Sequence, residues 1–345
     1  MRVLDLSVWR PMPHATQILA DLGAEVLKVE PPGGDPMRAY PEIFASVARG
    51  KRSIVLDLRD HGDRARALEL AAGSDVVCEG WRPGVAGRLG LSHDAVTAVN
   101  PAVIYCSLSG YGQDGPLRDL PGHDVNFQAL GGALAARRAG DRDPEVPHLA
   151  VADLESGTLA ALLICAAWAR RCRTGRGERI DVAMADVIAW WVGTGTPSGR
   201  SSGSPGYGVF RTRDDRWIAL GVLSEQRLWD ATCGALGLEE LIGETFAARF
   251  SRTDRINELL ASAIAALDND DALGRLELAG APVSPVLTPA GTADHPQFRA
   301  RGIHVDTSAG PVAALPAHLA SGGRVASSEL PDPGEHPEGF SPRRR

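Results

Sequence analysis

No CxxC pair occurs among the five cysteines, Cys78, Cys106, Cys165, Cys172 and Cys233, and their number is odd. A disulfide framework and a cysteine zinc site are therefore unsupported, and a reducing compartment, the cytoplasm, is expected. Cys78, Cys106 and Cys165 stand in apolar runs, which reads as buried thiols. Long hydrophobic runs are also missing. The longest, residues 159–169, falls well short of the roughly 20 needed to cross a bilayer, so no membrane association is expected. MRVLDLSVWRP at the start lacks the basic, apolar and small-residue succession of a secretory leader. Positive charge is in deficit, with 36 Lys and Arg against 43 Asp and Glu and a net charge of -7. That argues against nucleic acid as a partner and leaves room for a local basic pocket.

Several motifs are absent too. No GxGxxG follows the first strand candidate, and no GxxxxGKS occurs, so dinucleotide and nucleoside triphosphate sites are unsupported. Ser156 and Ser198 lack a GxSxG elbow. His148, His295 and His304 have no metal-ligand spacing, and no metal is expected. No internal repeat is found.

What is present is ordinary globular material: 345 residues, 44% hydrophobic, enough for two domains. The first third alternates short β-branched runs with amphipathic stretches. Strands are expected at 2–6, 25–30, 53–58, 75–79 and 103–108. Helices are expected at 16–22, ending at Gly23, at 62–72, ending at Gly73, and at 92–99, capped by Ser92. This spacing means parallel βαβ units with helices covering the sheet. Ligands of such sheets sit beyond the carboxyl ends of the strands, here at loops 8–15, 31–40, 59–62, 80–88 and 109–123. A Gly-, Ser- and Pro-rich stretch at 194–208 reads as a linker or flexible loop. A smaller α/β block follows, with a strand at 217–223, helices at 226–236 and 255–267, and an extended run at 281–287. The tail from 321 is Pro-, Gly- and charge-rich and is expected to be loosely ordered.

Two ionisable residues stand out by context. His123 follows a Pro-Gly turn in LPGHDVNF and precedes an apolar helix. Asp153 ends an apolar lead-in and opens a long apolar helix, where it reads as the N-cap. Each also has a purely structural reading, as a turn histidine and a capping aspartate. Arg38, Arg59, Arg82 and Arg88 come from separate strand-end loops. Converging guanidinium groups suit phosphate, and solvated surface arginine is the alternative. The run Arg170, Arg171, Arg173, Arg176 and Arg179 follows a helix C-terminus and reads as structural.

The segments ILADLGAEVLKVEPPGGDPMR, GKRSIVLDLRD, SDVVCEGWRPGVAGRLGLSHDAV, NPAVIYCSLSGYGQDGP, RTGRGERIDVAMAD and APVSPVLTPAGTADHPQFRARG together resemble the class III CoA-transferase superfamily. Within it, GHDVNF with His123 and VADLESG with Asp153 resemble the α-methylacyl-CoA racemases. The resemblance implies an α/β fold: a large Rossmann-like domain with a parallel sheet plus a small α/β domain, in an interlocked homodimer. The large domain would take residues 1–190 and, as a return segment, 286–345. Residues 191–206 would be a linker and 207–285 the small domain.

The same resemblance implies an acyl-CoA substrate and no cofactor beyond its CoA moiety. Arg38, Arg59, Arg82 and Arg88 would lie at the CoA phosphates, and Leu56, Gly80 and Trp81 near the adenine. His123 and Asp153 would flank the α-carbon of a 2-methyl-branched acyl group and exchange its proton through an enolate. A CoA-transferase with Asp153 as nucleophile, shielded by the Gly-rich loop at 199–208, is the alternative. A CoA-binding homologue without catalysis is the lesser one. The chain departs from the racemase pattern at Met12, at Leu154-Glu155, and at Ser224, which is followed by Glu225.

Overall fold

The computed structural model describes residues 1–134, 145–195, 204–320 and 327–342. They form two compact units. The larger holds the described residues up to Thr194 and from Pro296 onward, and the smaller those between Gly195 and His295.

In chain order the larger unit begins with β1 (Arg2–Asp5), α1 (Pro11–Asp21), β2 (Glu25–Glu30), α2 (Pro41–Ala48), β3 (Arg52–Val55) and α3 (His61–Ala72). Then come β4 (Val76–Glu79), α4 (Val85–Arg88), α5 (His93–Val99), β5 (Ile104–Ser109), α6 (Asp124–Leu130), α7 (Val151–Thr174), β6 (Glu178–Ala183) and α8 (Met184–Gly195). The six strands are parallel in the order β3-β2-β1-β4-β5-β6. Both faces are covered, so the inner strands are buried on both sides and mostly apolar, with Asp5, Lys28 and Glu30 buried among them. Val3, Val26, Val76, Ile104 and Cys106 belong to the layer that holds α1 and α7. Their neighbours Leu4, Leu27, Val77 and Tyr105 belong to the opposite layer, with Leu70 of α3 and Val96 of α5. The strand order reverses between β1 and β4, which opens a crevice at their carboxyl ends.

Several local expectations need correction. The first helix starts at Pro11 rather than 16, because proline at N1 needs no N–H partner and presets φ. Helix α2 lies where no element is expected from the sequence, and α8 runs on through Gly195, into the stretch expected to be linker. Residues 196–203 of that stretch lie outside the described residues. Cys78, Cys106 and Cys233 are buried, but Cys165 is half-buried and Cys172 exposed. Helix α7 is long and apolar enough to cross a membrane. Its small-residue face (Ala152, Ser156, Gly157, Ala160, Ala161, Ile164) is buried in the core with α1. A Cβ at Gly157 would stand 2.5 Å from the Pro11 carbonyl oxygen, so glycine sets how closely the two helices approach.

The tail is the clearest structural surprise. Residues 327–342 lie along edge strand β3, whose outer N–H and C=O groups would otherwise be open. The His336 N–H donates to the Ser53 carbonyl at 2.8 Å, and the Gly334 N–H to Ser53 Oγ at 3.0 Å. Arg52 Nε donates to the Gly339 carbonyl at 2.8 Å, and Phe340 packs on the apolar layer. Pairing needs therefore order a segment whose composition reads as loose. Residues 321–326 and the terminal arginines lie outside the described residues.

The smaller unit contains β7 (Tyr207–Arg211), β8 (Trp217–Gly221), α9 (Gln226–Leu236), α10 (Phe246–Phe250), α11 (Thr253–Ala265), α12 (Asn269–Leu278), β9 (Val283–Pro285) and α13 (Pro289–Asp294). Its three-stranded antiparallel sheet shares a core with α9, α11 and α12 around Trp229, whose Nε1 donates to the Leu241 carbonyl at 2.8 Å. The chain then returns to the larger unit through α14 (Pro296–Ala300) and the hairpin β10 (His304–Thr307) and β11 (Gly310–Ala313).

Candidate active site

The crevice at the switch point contains a cavity of about 140 Å3. Val8 follows β1, Gly80, Trp81, Arg82 and Pro83 follow β4, and Leu108, Ser109 and Gly110 end β5. Met12, Phe127 and Met184 complete its apolar wall, with Arg118 and Gly122 from the loop before α6. Gly122 packs on Phe127 so closely that a Cβ would lie 2.7 Å from the ring. That contact seats the turn from which His123 projects.

His123 is the N-cap of α6 and is exposed. Its N–H donates to Asn126 Oδ1 at 3.0 Å. Asp153 is half-buried in the first turn of α7, at N3 rather than at the expected cap, which is Ala150. The reason is tertiary. The Asp153 N–H, one of the helix's unpaired donors, donates to Asp124 Oδ1 at 3.1 Å. Asp124 Oδ2 accepts from Gln128 Nε2 at 2.5 Å. Asp124, next to His123 in the chain, thus ties the histidine turn to the Asp153 turn. Burial pushes the Asp153 carboxyl up to about 6, and the Asp124 charge adds to it, while Arg10 and His123 pull it down. A carboxyl near 6 can take and return a proton at neutral pH.

Asp124→Asn keeps the acceptor and removes the like charge. The Asp153 carboxyl should then titrate below 6, and any rate that needs its carboxylate should extend to lower pH. A pH–rate profile checks this, and an unmoved acid limb would mean that Asp124 does not act on Asp153.

A buried polar network holds the β1–α1 loop from below. Lys51 Nζ donates to Asp5 Oδ2 at 3.1 Å, Thr16 Oγ1 at 2.6 Å and the Pro13 carbonyl at 3.0 Å. Asp5 also accepts from the Ser7 N–H at 3.1 Å and the Thr16 hydroxyl at 2.6 Å. Lys28 Nζ reaches the Ser7 carbonyl at 2.8 Å and Asp35 Oδ2 at 2.7 Å.

The other sequence candidates are placed unevenly. Arg38 is bidentate to Glu30, with both contacts at 2.7 Å, donates to the Pro331 carbonyl and stacks over Phe44. Arg59 is exposed and paired with Asp57. Leu56 is buried in an apolar layer of the sheet rather than at the crevice. Gly80, Trp81 and Arg82 line the cavity, where the Trp81 N–H donates to Glu79 at 2.8 Å. Arg88 is exposed, and its Nη1 lies 3.5 Å from where a Gly84 Cβ would be.

Three residues escape sequence reasoning. Arg118 brings a second guanidinium to within 4.0 Å of the same Gly84 point. Its signal was its place in strand-end loop 109–123. Arg10, from loop 8–15, acts electrostatically on Asp153. Asp124 was visible only as a neighbour of His123. Arg82 and Arg118 line the cavity and Arg88 meets Arg118 at Gly84, a group of guanidinium ions suited to phosphate.

Acetyl-CoA:oxalate CoA-transferase of Acetobacter aceti is 35% identical over 97% of this chain and 90% of its own length. Alpha-methylacyl-CoA racemase of Homo sapiens is 31% identical, with 97% and 90% covered. A CAIB/BAIF family protein from Brucella suis superposes with a TM-score of 0.87 at 29% identity, covering 98% of this chain and 96% of that one. Residues 1–337 match the family described as CoA-transferase family III, and to that family the chain belongs.

Proposed function

We propose that the protein is an acyl-CoA racemase or epimerase that inverts the α-carbon of a 2-methyl-branched acyl-CoA. The observation that carries this reading is the Asp124 bridge, which brings the His123 turn and the Asp153 turn into one site. One group takes the α-proton as the C–H bond breaks, and the electron pair moves onto the thioester oxygen. The other group gives its proton to the opposite face of the enolate. Two groups are needed because one base returns the proton to the face it came from. N–H groups at the start of α7 and the positive end of its dipole favour the enolate charge. The CoA phosphates lie at Arg82, Arg88 and Arg118, and the reaction needs no cofactor beyond the CoA of the substrate. The reading includes a cytoplasmic, interlocked homodimer, as the resemblance implies.

A CoA-transferase is the second reading, favoured by the similarity to acetyl-CoA:oxalate CoA-transferase. Here the Asp153 carboxylate attacks the thioester to give a mixed anhydride and CoA thiolate. The thiolate attacks the aspartyl carbonyl and frees the donor carboxylate, and the acceptor carboxylate takes the CoA from the resulting aspartyl thioester through a second mixed anhydride. Incubation with 2-methylacyl-CoAs in deuterium oxide separates the two. Deuterium at the α-carbon without CoA transfer supports the racemase. Transfer to a carboxylate, with hydroxylamine-sensitive enzyme at Asp153 and no exchange, replaces it with the transferase.

A further inference from the structure

Arg10 is the charged residue of the site to which the mechanism above gives no task. It is the N-cap of α1 and directly precedes Pro11 and Met12, which line the cavity. Its Nε is buried without a hydrogen-bond partner. Among the described residues no carboxylate forms an ion pair with its guanidinium. Its charge is felt at Asp153 and at His14, yet His14 is no partner, since burial first and then Arg10 push that imidazole down to about 4. A buried guanidinium nitrogen left unbonded is costly, and native structures rarely keep one without a reason. The missing partner is an anion, because guanidinium offers only donors and carries a fixed charge.

The wall next to Arg10 narrows the choice of anion. Val8, Met12, Leu108, Phe127 and Met184 are apolar. Arg82 and Arg118 on the same lining are given to the CoA phosphates in the reading above, which leaves Arg10 for an anion on the acyl group. The cavity of about 140 Å3 is close to the roughly 150 Å3 cavity that holds a benzene molecule, so it admits a short acyl group.

We propose that Arg10 is a specificity-determining residue that binds a carboxylate carried by the acyl group. The substrate is then a short 2-methyl-branched acyl-CoA whose far end is a carboxylate. This takes its reaction from the proton-transfer reading above and adds the substrate class. Charge-assisted pairing of this kind supports a preference of about 10- to 100-fold over an uncharged acyl group of the same shape.

The test uses two thioesters of equal size. One is 2-methylsuccinyl-CoA, esterified at the carboxyl beside the branched carbon, and the other is 2,4-dimethylpentanoyl-CoA, whose isopropyl end has the branching and heavy-atom count of the carboxylate. Calorimetric Kd and α-deuterium exchange are measured for both with the wild type, Arg10→Met and Arg10→Lys. The wild type should prefer the carboxylate thioester by about 10- to 100-fold, Arg10→Met should abolish the ratio, and Arg10→Lys should keep part of it. Ratios cancel any effect of Arg10 on Asp153, which both substrates share. Equal handling of the two thioesters by the wild type overturns the proposal whether or not the variants fold. So does an equal loss on both in Arg10→Met, which would place Arg10 at the thioester oxygen. A Kd preference that depends on Arg10, with no α-exchange on either thioester, would retain the proposal and remove the proton-transfer reading instead.

Discussion

Asp153→Asn should lower racemisation by about 10²–10⁴-fold, and His123→Ala should do the same, yet the two variants should fail in opposite senses. Each leaves one proton-transfer group on one face of the α-carbon. That group can still remove the proton, trade it with solvent and return it to the same face. His123→Ala should therefore exchange the α-proton of one enantiomer slowly without inverting it, and Asp153→Asn should favour the other. The residual exchange in His123→Ala runs through the Asp153 carboxylate. Its rate should rise with pH through about 6 and flatten above, since the carboxyl must be ionised to act as base. Chiral analysis of each enantiomer after incubation in deuterium oxide reads both effects. The transferase reading expects otherwise: Asp153→Asn would abolish transfer and the covalent intermediate, and His123→Ala would leave transfer near the wild-type rate. Exchange lost equally from both enantiomers in both variants would remove the two-base assignment.

Sequence reasoning reaches the sheet well and the site unevenly, for identifiable reasons. β2 reads as residues 25–30 because Val26, Leu27 and Val29 lie between the Gly23 turn and the prolines at 31 and 32, and that is where it lies. Helix α5 is announced by Ser92, whose hydroxyl accepts from the Ala95 N–H. Helix α2 and the tail along β3 follow from packing partners far away in the chain, and local pattern carries no trace of them. The same holds for side-chain roles. Arg38 sits in a strand-end loop, yet Glu30 from β2 claims its guanidinium. Leu56 follows β3 directly, and the layer beneath the sheet takes it. Asp153 was legible as a helix-start carboxylate. Its raised pKa was not, because burial and Asp124 set it, and both come from tertiary placement. Arg10 carries no motif at all. Its buried, unbonded nitrogen, together with its place directly before Pro11 and Met12 of the cavity wall, brings it forward.

The buried pair Asp5 and Lys51 should give the largest stability effect of any single substitution in the crevice floor. Both side chains are fully buried, and Asp5 is held down to about 2: burial opposes ionisation, but Lys51, Lys28 and the hydroxyls of Ser7 and Thr16 outweigh it. Lys51 is pushed down to about 8, by burial first, with Asp5 opposing. The pair is thus ionised between about pH 2 and pH 8. Lys51→Met removes one charge and leaves the other buried with only Lys28 near it, which should cost about 3–5 kcal/mol. Adding Asp5→Asn neutralises the orphaned carboxylate, keeps an acceptor for Ser7 and should recover most of that loss, so the two substitutions couple strongly. The pH dependence follows from the same shifts. Asp5 titrates below its ordinary 3.8, so its contribution is full above that value and is lost as pH falls towards 2. Lys51 titrates below its ordinary 10.5, so the unfolded chain binds more protons between pH 8 and 10.5, and this group makes stability rise across that window. In Lys51→Met the alkaline rise should vanish, and the acid loss should shrink as the Asp5 carboxyl moves up. Urea unfolding of the wild type, both single variants and the double variant at several pH values measures all of this. A single-variant cost below about 1 kcal/mol, or a double variant no better than Lys51→Met, would show that the pair does not hold the β1–α1 loop on which Arg10 stands.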